Sequence, residues 1–133
     1  MDRQYTILVA DRNSRVRGFL KRELMAEGYH VQLAEDGKQV LKKVYHSDPL
    51  DLIILDPDLP DAEENILLKG LQNRIPSLPL IVHAIQSECD AYGFLPDDAV
   101  FVEKRDESVE QLKLVVAEIL SIKNSNRRPD RPD

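Results

Sequence analysis

Residues 51–61, Asp-Leu-Ile-Ile-Leu-Asp-Pro-Asp-Leu-Pro-Asp, leave this chain few folds to choose from. The apolar run 52–55 is not interrupted at every second residue, so it reads as a strand buried on both faces. Its length is far below that of a membrane span. Pro57 and Pro60 end it, because proline has no N–H to give to a sheet ladder. The run is therefore the central strand of a parallel sheet, with Asp56 at its carboxyl edge. In open α/β sheets that edge is where ligands bind.

The rest of the chain supplies matching pieces. Residues 5–10 form a short apolar strand ending at Asp11, and Asn13 or Ser14 can cap the helix that follows. In that helix Val16, Phe19, Leu20 and Leu24 share a face, and Gly28 stands where a left-handed C-terminal residue is wanted. Tyr29, Val31 and Leu33 alternate with polar residues, as in a strand with one less buried face. Asp36-Gly37 leads into a short helix with Val40, Leu41 and Val44 inward. Residues 62–73 give a third helix carrying Ile66, Leu67 and Leu71, and residues 78–84 a fourth strand. Residues 86–98 contain Gly93 and Pro96, so a helix there is short and poorly supported. A fifth strand covers 100–103. A last helix covers 107–123, with Val109, Leu112, Val116 and Ile119 inward and Leu114, Val115 and Leu120 widening its apolar face. The tail from Asn124 has nothing to bury and reads as disordered or as the stump of a linker. The expected organisation is one domain over 1–123 with a tail over 124–133. Strands alternating with helices predict a three-layer, doubly wound, five-stranded parallel sheet.

Composition narrows the function. A formal charge of −6 over 133 residues argues against a broad nucleic-acid or anionic-membrane surface, and the arginines of the tail are too diluted by aspartate for a nucleic-acid arm. A single cysteine, Cys89, excludes an internal disulfide and fits a reducing compartment. With no apolar run of signal-peptide or membrane-spanning length, a cytoplasmic location is expected. No glycine-rich loop follows the first strand, which speaks against a dinucleotide or P-loop site. His83 lies in a buried strand and reads as a hydrogen-bonded core histidine. His30 and His46 lack metal spacing, and Cys89 lacks a companion.

Three strand ends bring Asp11 and Arg12, Asp56 and Asp58, and Lys104 to one edge. Any one strand-end aspartate more commonly caps the next helix. Carboxylates converging with a lysine, however, suit magnesium-assisted phosphoryl chemistry: oxygen ligands for a hard cation, a nucleophilic carboxylate, and an ammonium to balance phosphoryl oxygens.

Over residues 5–122 the chain resembles a response-regulator receiver domain of bacterial two-component signalling. The resemblance rests on Ile7-Leu8-Val9-Ala10-Asp11, the stretch 51–56, Leu59-Pro60, Leu78-Pro79-Leu80-Ile81-Val82 and Phe101-Val102-Glu103-Lys104. It implies a flavodoxin-like fold, Asp56 as phospho-acceptor, Lys104 as the phosphoryl-binding lysine, and magnesium held by Asp11, Asp56 and the backbone carbonyl of Asp58. It also implies a histidine kinase or other signalling protein as partner. Phosphorylation would shift the surface formed by the helix before the fifth strand, that strand and the last helix. The last helix is in addition a candidate homodimer face.

The departures from the family pattern are equally specific. Arg12 replaces the second acid of the pair after the first strand. Ala84 replaces the hydroxyl residue of the switch, whose aromatic partner is kept as Phe101. Arg105 replaces a proline and Glu64 a glycine. Asp11 and Asp56 then face Arg12 and Lys104, and magnesium would sit beside a fixed guanidinium charge. Asp58 can offer its own carboxylate, so weak or lost metal binding is expected. Pro57 further removes an N–H where a phosphoryl group would need one. The expectation is a degenerate receiver, a binding and switching module rather than an enzyme. The rival is a haloacid-dehalogenase-like phosphatase using Asp56 and Asp58, whose motif should follow the first strand rather than the third.

Overall fold

A computed structural model describes residues 4–46, 49–61, 64–73, 77–85 and 98–126. In chain order it places β1 (Thr6–Ala10), α1 (Ser14–Ala26), β2 (His30–Ala34), α2 (Gly37–Val44), β3 (Leu52–Leu55), α3 (Glu64–Gln72), β4 (Leu80–Ala84), β5 (Val100–Glu103) and α4 (Ser108–Asn126). The strands pair in parallel in the order β2-β1-β3-β4-β5. This is the doubly wound sheet expected from the sequence. The all-apolar β3 takes the centre, while β2, with polar His30 and Gln32, takes an edge.

Strand alternation divides the core in two. Leu8, Ala10, Ile53 and Leu55 point to the side covered by α2 and α3, where Val40, Val44 and Leu67 meet them. Ile7, Val9, Leu52 and Ile54 point to the side of α1 and α4 and meet Leu20, Leu24, Leu112 and Val116. Each such aliphatic side chain contributes about 1.5–3 kcal/mol by leaving water.

The helix ends follow the expected chemistry. The Asn13 side chain accepts from the N–H groups of Arg15 and Val16. Gly28, at φ 99°, closes α1 as the Tyr29 N–H donates to Leu24 O and the Gly28 N–H to Met25 O. Three expectations need correction. Phe19 is exposed at 38 %, with the Arg22 guanidinium 5.4 Å from its ring centre, over the ring face where a cation is favoured. Leu114 stands in water at 73 %, whereas Leu120 is core and Val115 packs against it. The last helix continues to Asn126, past the expected end at Lys123. Residues 86–97, including Cys89, Gly93 and Pro96, and the tail 127–133 lie outside the described residues, as does the side chain of Ile66.

Candidate functional site at the carboxyl edge of the sheet

Asp11, Asp56 and Lys104 each occupy the first position after a strand, and the sheet hydrogen bonding runs one residue further to hold them there. The Asp11 N–H donates to Ala34 O, the Asp56 N–H to Ala10 O and the Lys104 N–H to Ala84 O. The three are thus fixed by backbone before any side-chain contact forms. Both carboxylates are buried, at 2 % for Asp11 and 6 % for Asp56.

The Lys104 ammonium bridges them, with Nζ 2.8 Å from Asp11 Oδ2 and 2.5 Å from Asp56 Oδ2. Burial alone would depress the lysine pKa. Hydrogen bonds to Asp11 and Asp56, aided by their charges, outweigh it and leave the pKa raised. The remaining carboxylate oxygens are also engaged. Asp11 Oδ1 accepts from the Asn13 N–H at 2.9 Å, and Asp56 Oδ1 accepts from the Asp58 N–H at 2.9 Å. The second of these is an Asx turn, set by Pro57 between the two aspartates.

Arg12 does not join this bridge. Its Nε donates to the backbone carbonyl of Asp58 at 3.0 Å, and Nη2 lies 3.6 Å from Asp58 Oδ1. The guanidinium therefore ties the β1–α1 loop to the β3–α3 loop. Arg17, which the sequence did not single out, adds a second tether by donating from Nη1 to Asp11 O at 2.8 Å. It lies 3.6 Å from Glu35, beyond the edge strand.

The other half of the rim carries Ala84 and Phe101, the two positions expected from the sequence to form a switch. Ala84 is buried at 1 %, and Phe101, half-buried, packs against the same apolar cluster. Beside Ala84, on the opposite face of β4, lies His83. The Ser108 hydroxyl donates to Arg105 O at 2.9 Å and so accepts from His83 Nε2, also at 2.9 Å. This assigns the ring proton to Nε2 and leaves Nδ1 as a buried acceptor with no partner among the described residues. Burial first, then the Lys104 charge, push the His83 pKa down to about 4 against the opposing pull of Asp11 and Asp56. It is a neutral core histidine, as expected. Arg105, at the family's proline position, makes an exposed pair with Glu103 at 2.6 Å, which contributes little.

The family model of the response regulator receiver domain matches residues 7–95. The chain belongs to this family. It is a receiver module of phosphorelay signalling, and receiver domains are generally non-catalytic. Among curated relatives, it is 32 % identical over 85 residues to the DNA-binding transcriptional regulator NtrC of Proteus hauseri, covering 64 % of this chain and 18 % of that protein. It is 38 % identical over 76 residues to response regulator RR06 of Streptococcus pneumoniae, covering 57 % of this chain and 34 % of that one. The chain thus spans about a fifth to a third of the length of these relatives. The receiver-like structures include response regulator TrrA of Thermotoga maritima in complex with Mg²⁺-BeF. TrrA is 28 % identical, with a TM-score of 0.72 over 87 % of this chain and 99 % of that one. The receiver domain from hybrid histidine kinase CckA is 25 % identical, with a TM-score of 0.69 over 86 % of this chain and 98 % of that one.

Receiver domains commonly bind Mg²⁺ at the acidic site. The carbonyl that would serve as a ligand accepts from Arg12, and both buried carboxylates are committed to Lys104. Among the described residues, no group of three His, Cys, Asp or Glu side chains is placed to hold a metal ion. No described helix is long and apolar enough to cross a membrane.

Proposed function

We propose that this receiver uses Asp56 as its phospho-acceptor and Lys104 as the group that meets the incoming phosphoryl oxygens, and that it does so slowly. The observation carrying this reading is the single ammonium bridging two buried carboxylates at the sheet's carboxyl edge. In the transfer, an Asp56 oxygen forms the new bond to phosphorus. The bond from phosphorus to the donor breaks, and the donor leaves with that electron pair, as acetate when the donor is acetyl phosphate. The ammonium then balances charge on the phosphoryl oxygens.

Three features slow this step. Ala84 offers no hydroxyl, Pro57 offers no N–H, and the Asp58 N–H is already given to Asp56 Oδ1. Each missing donor to a developing charge costs on the order of 3 kcal/mol. The module then acts chiefly by contact with a histidine kinase or another signalling protein. A second reading, association of two copies through α4, is favoured by the exposed Leu114 and Ile122. The family assignment favours the receiver reading over the phosphatase alternative, since Asp56 follows the third strand of the core.

Intact-mass analysis after incubation with acetyl phosphate tests the reading. Slow, partial modification that disappears in Asp56→Asn is expected. Rapid and near-complete modification would refute the slow step, and modification persisting in Asp56→Asn would refute the acceptor.

A further inference from the structure

The most specific local departure of the site is also the one whose geometry is most complete. A divalent cation at a receiver's acidic edge does two jobs: it balances clustered carboxylates, and it cross-links the loops after the first and third strands. In this chain Arg12 does the second job and, through Asp58, shares the first with Lys104. It extends from the β1–α1 loop and hydrogen-bonds the Asp58 carbonyl of the β3–α3 loop at 3.0 Å, with its charge 3.6 Å from the Asp58 carboxylate. Lys104 meets Asp11 and Asp56. With Asp11, Asp56 and Asp58 at −1 each and Arg12 and Lys104 at +1 each, the edge carries −1 without any metal.

We infer that Arg12 is the resident cation of this site, a covalently attached guanidinium that takes the place of the divalent metal and makes the acidic edge metal-independent. A guanidinium is a planar donor with a fixed charge that no change of pH removes. A dication approaching the same carbonyl would have to break the Nε hydrogen bond and lie within a few ångströms of a like charge, where repulsion is strong. The loops are therefore held at every metal concentration, and the site responds to oxyanions rather than to cations.

The inference rests on reading this edge as the receiver's acidic site, and its test reads metal alone, with no phosphoryl donor present. Mn²⁺ is titrated into the whole chain while paramagnetic broadening of the amide signals of Asp11, Asp56, Asp58 and Lys104 is followed. Wild type is expected to show no saturable, site-selective broadening below millimolar metal. Arg12→Asp is expected to gain at least about ten-fold in affinity, and its Tm should rise with millimolar Mg²⁺ while that of wild type stays fixed. Arg12→Gln, which removes charge with less change of shape, should fall between the two and serves if the aspartate variant does not fold. Saturation of wild type at submillimolar Mn²⁺, or equal affinities in wild type and Arg12→Gln, would overturn the inference. Neither outcome depends on whether Asp56 accepts a phosphoryl group.

Discussion

The two halves of the sheet's carboxyl rim meet at Lys104 yet are held by opposite means. The half built on β1 and β3 is ionic: buried carboxylates, a bridging ammonium and a guanidinium tether engage nearly every polar atom. Apart from Lys104 itself and the exposed Arg105–Glu103 pair, the half built on β4 and β5 is neutral: a buried alanine, a half-buried phenylalanine, and a relay from His83 through Ser108 to Arg105 O. A ligand can bias a two-state element only if it contacts the two states differently. The ionic half still has groups that a phosphoryl oxygen can meet. In the proposed reading, the neutral half offers no hydroxyl to report the event to Phe101, so reception and response, which share one rim, would be separated.

The largest effect should come from removing the ion that joins them. Lys104→Ala leaves two buried carboxylates without their cation and should cost about 4 kcal/mol, since breaking a buried pair from one side exposes the other's desolvation. Adding Asp56→Asn should return a substantial part. Urea unfolding of the single and double variants checks this. If the double variant is no more stable than the single, the ionic half is not held together by the bridge.

The second test concerns the neutral half and pH. His83 titrates at about 4 in the fold against an ordinary value of 6.5. Because the folded pKa is depressed, the unfolded chain binds more protons between these values. Stability therefore rises with pH across this window, is fully present above 6.5 and is lost towards 4. The span amounts to on the order of 3 kcal/mol. His83→Gln should flatten that limb of the urea midpoint against pH. An unchanged profile would place the acid sensitivity elsewhere, and the contrast of ionic with neutral would fail.

The positions of these groups were unequally legible in the sequence. β3 and Asp56 could be found because an all-apolar run ended by proline has almost one meaning. Asp11 and Lys104 followed from strand ends, and the structure brings both to Asp56. That Arg12 stands where an acid was expected was readable from the broken acidic pair. Which atom it grips was not, because the Asp58 carbonyl lies 46 residues away across the rim. Ser108 and Asp61 escaped notice for the same reason, their partners being 25 and 24 residues distant. Phe19 misled because helical spacing shows which way a side chain points, not how much of it becomes covered.

The smallest effect is expected from rebuilding the lost hydroxyl. Ala84→Ser places an unpaired polar group in an apolar cluster and should cost about 1 kcal/mol in the free protein. If the neutral half lacks only this atom, beryllofluoride should recover that loss and shift the amide signals of Phe101 and α4 in the variant more than in wild type. Equal shifts in both would show that response survives by another route.

Asp61 has a consequence for how this domain opens. Its carboxylate accepts the N–H groups of Gly37 and Lys38 at 2.5 and 3.1 Å, at the start of α2, where Asp36 already caps Gln39. The backbone bond to Gly37, ahead of other favourable contacts and against burial, keeps this carboxyl below the usual range. The loop after β3 is thereby fastened to the preceding helix before it reaches the following one. Hydrogen exchange is therefore expected to show the loop after β3 and the first turn of α2 opening as one cooperative unit, with α3 free to fray without releasing Asp56.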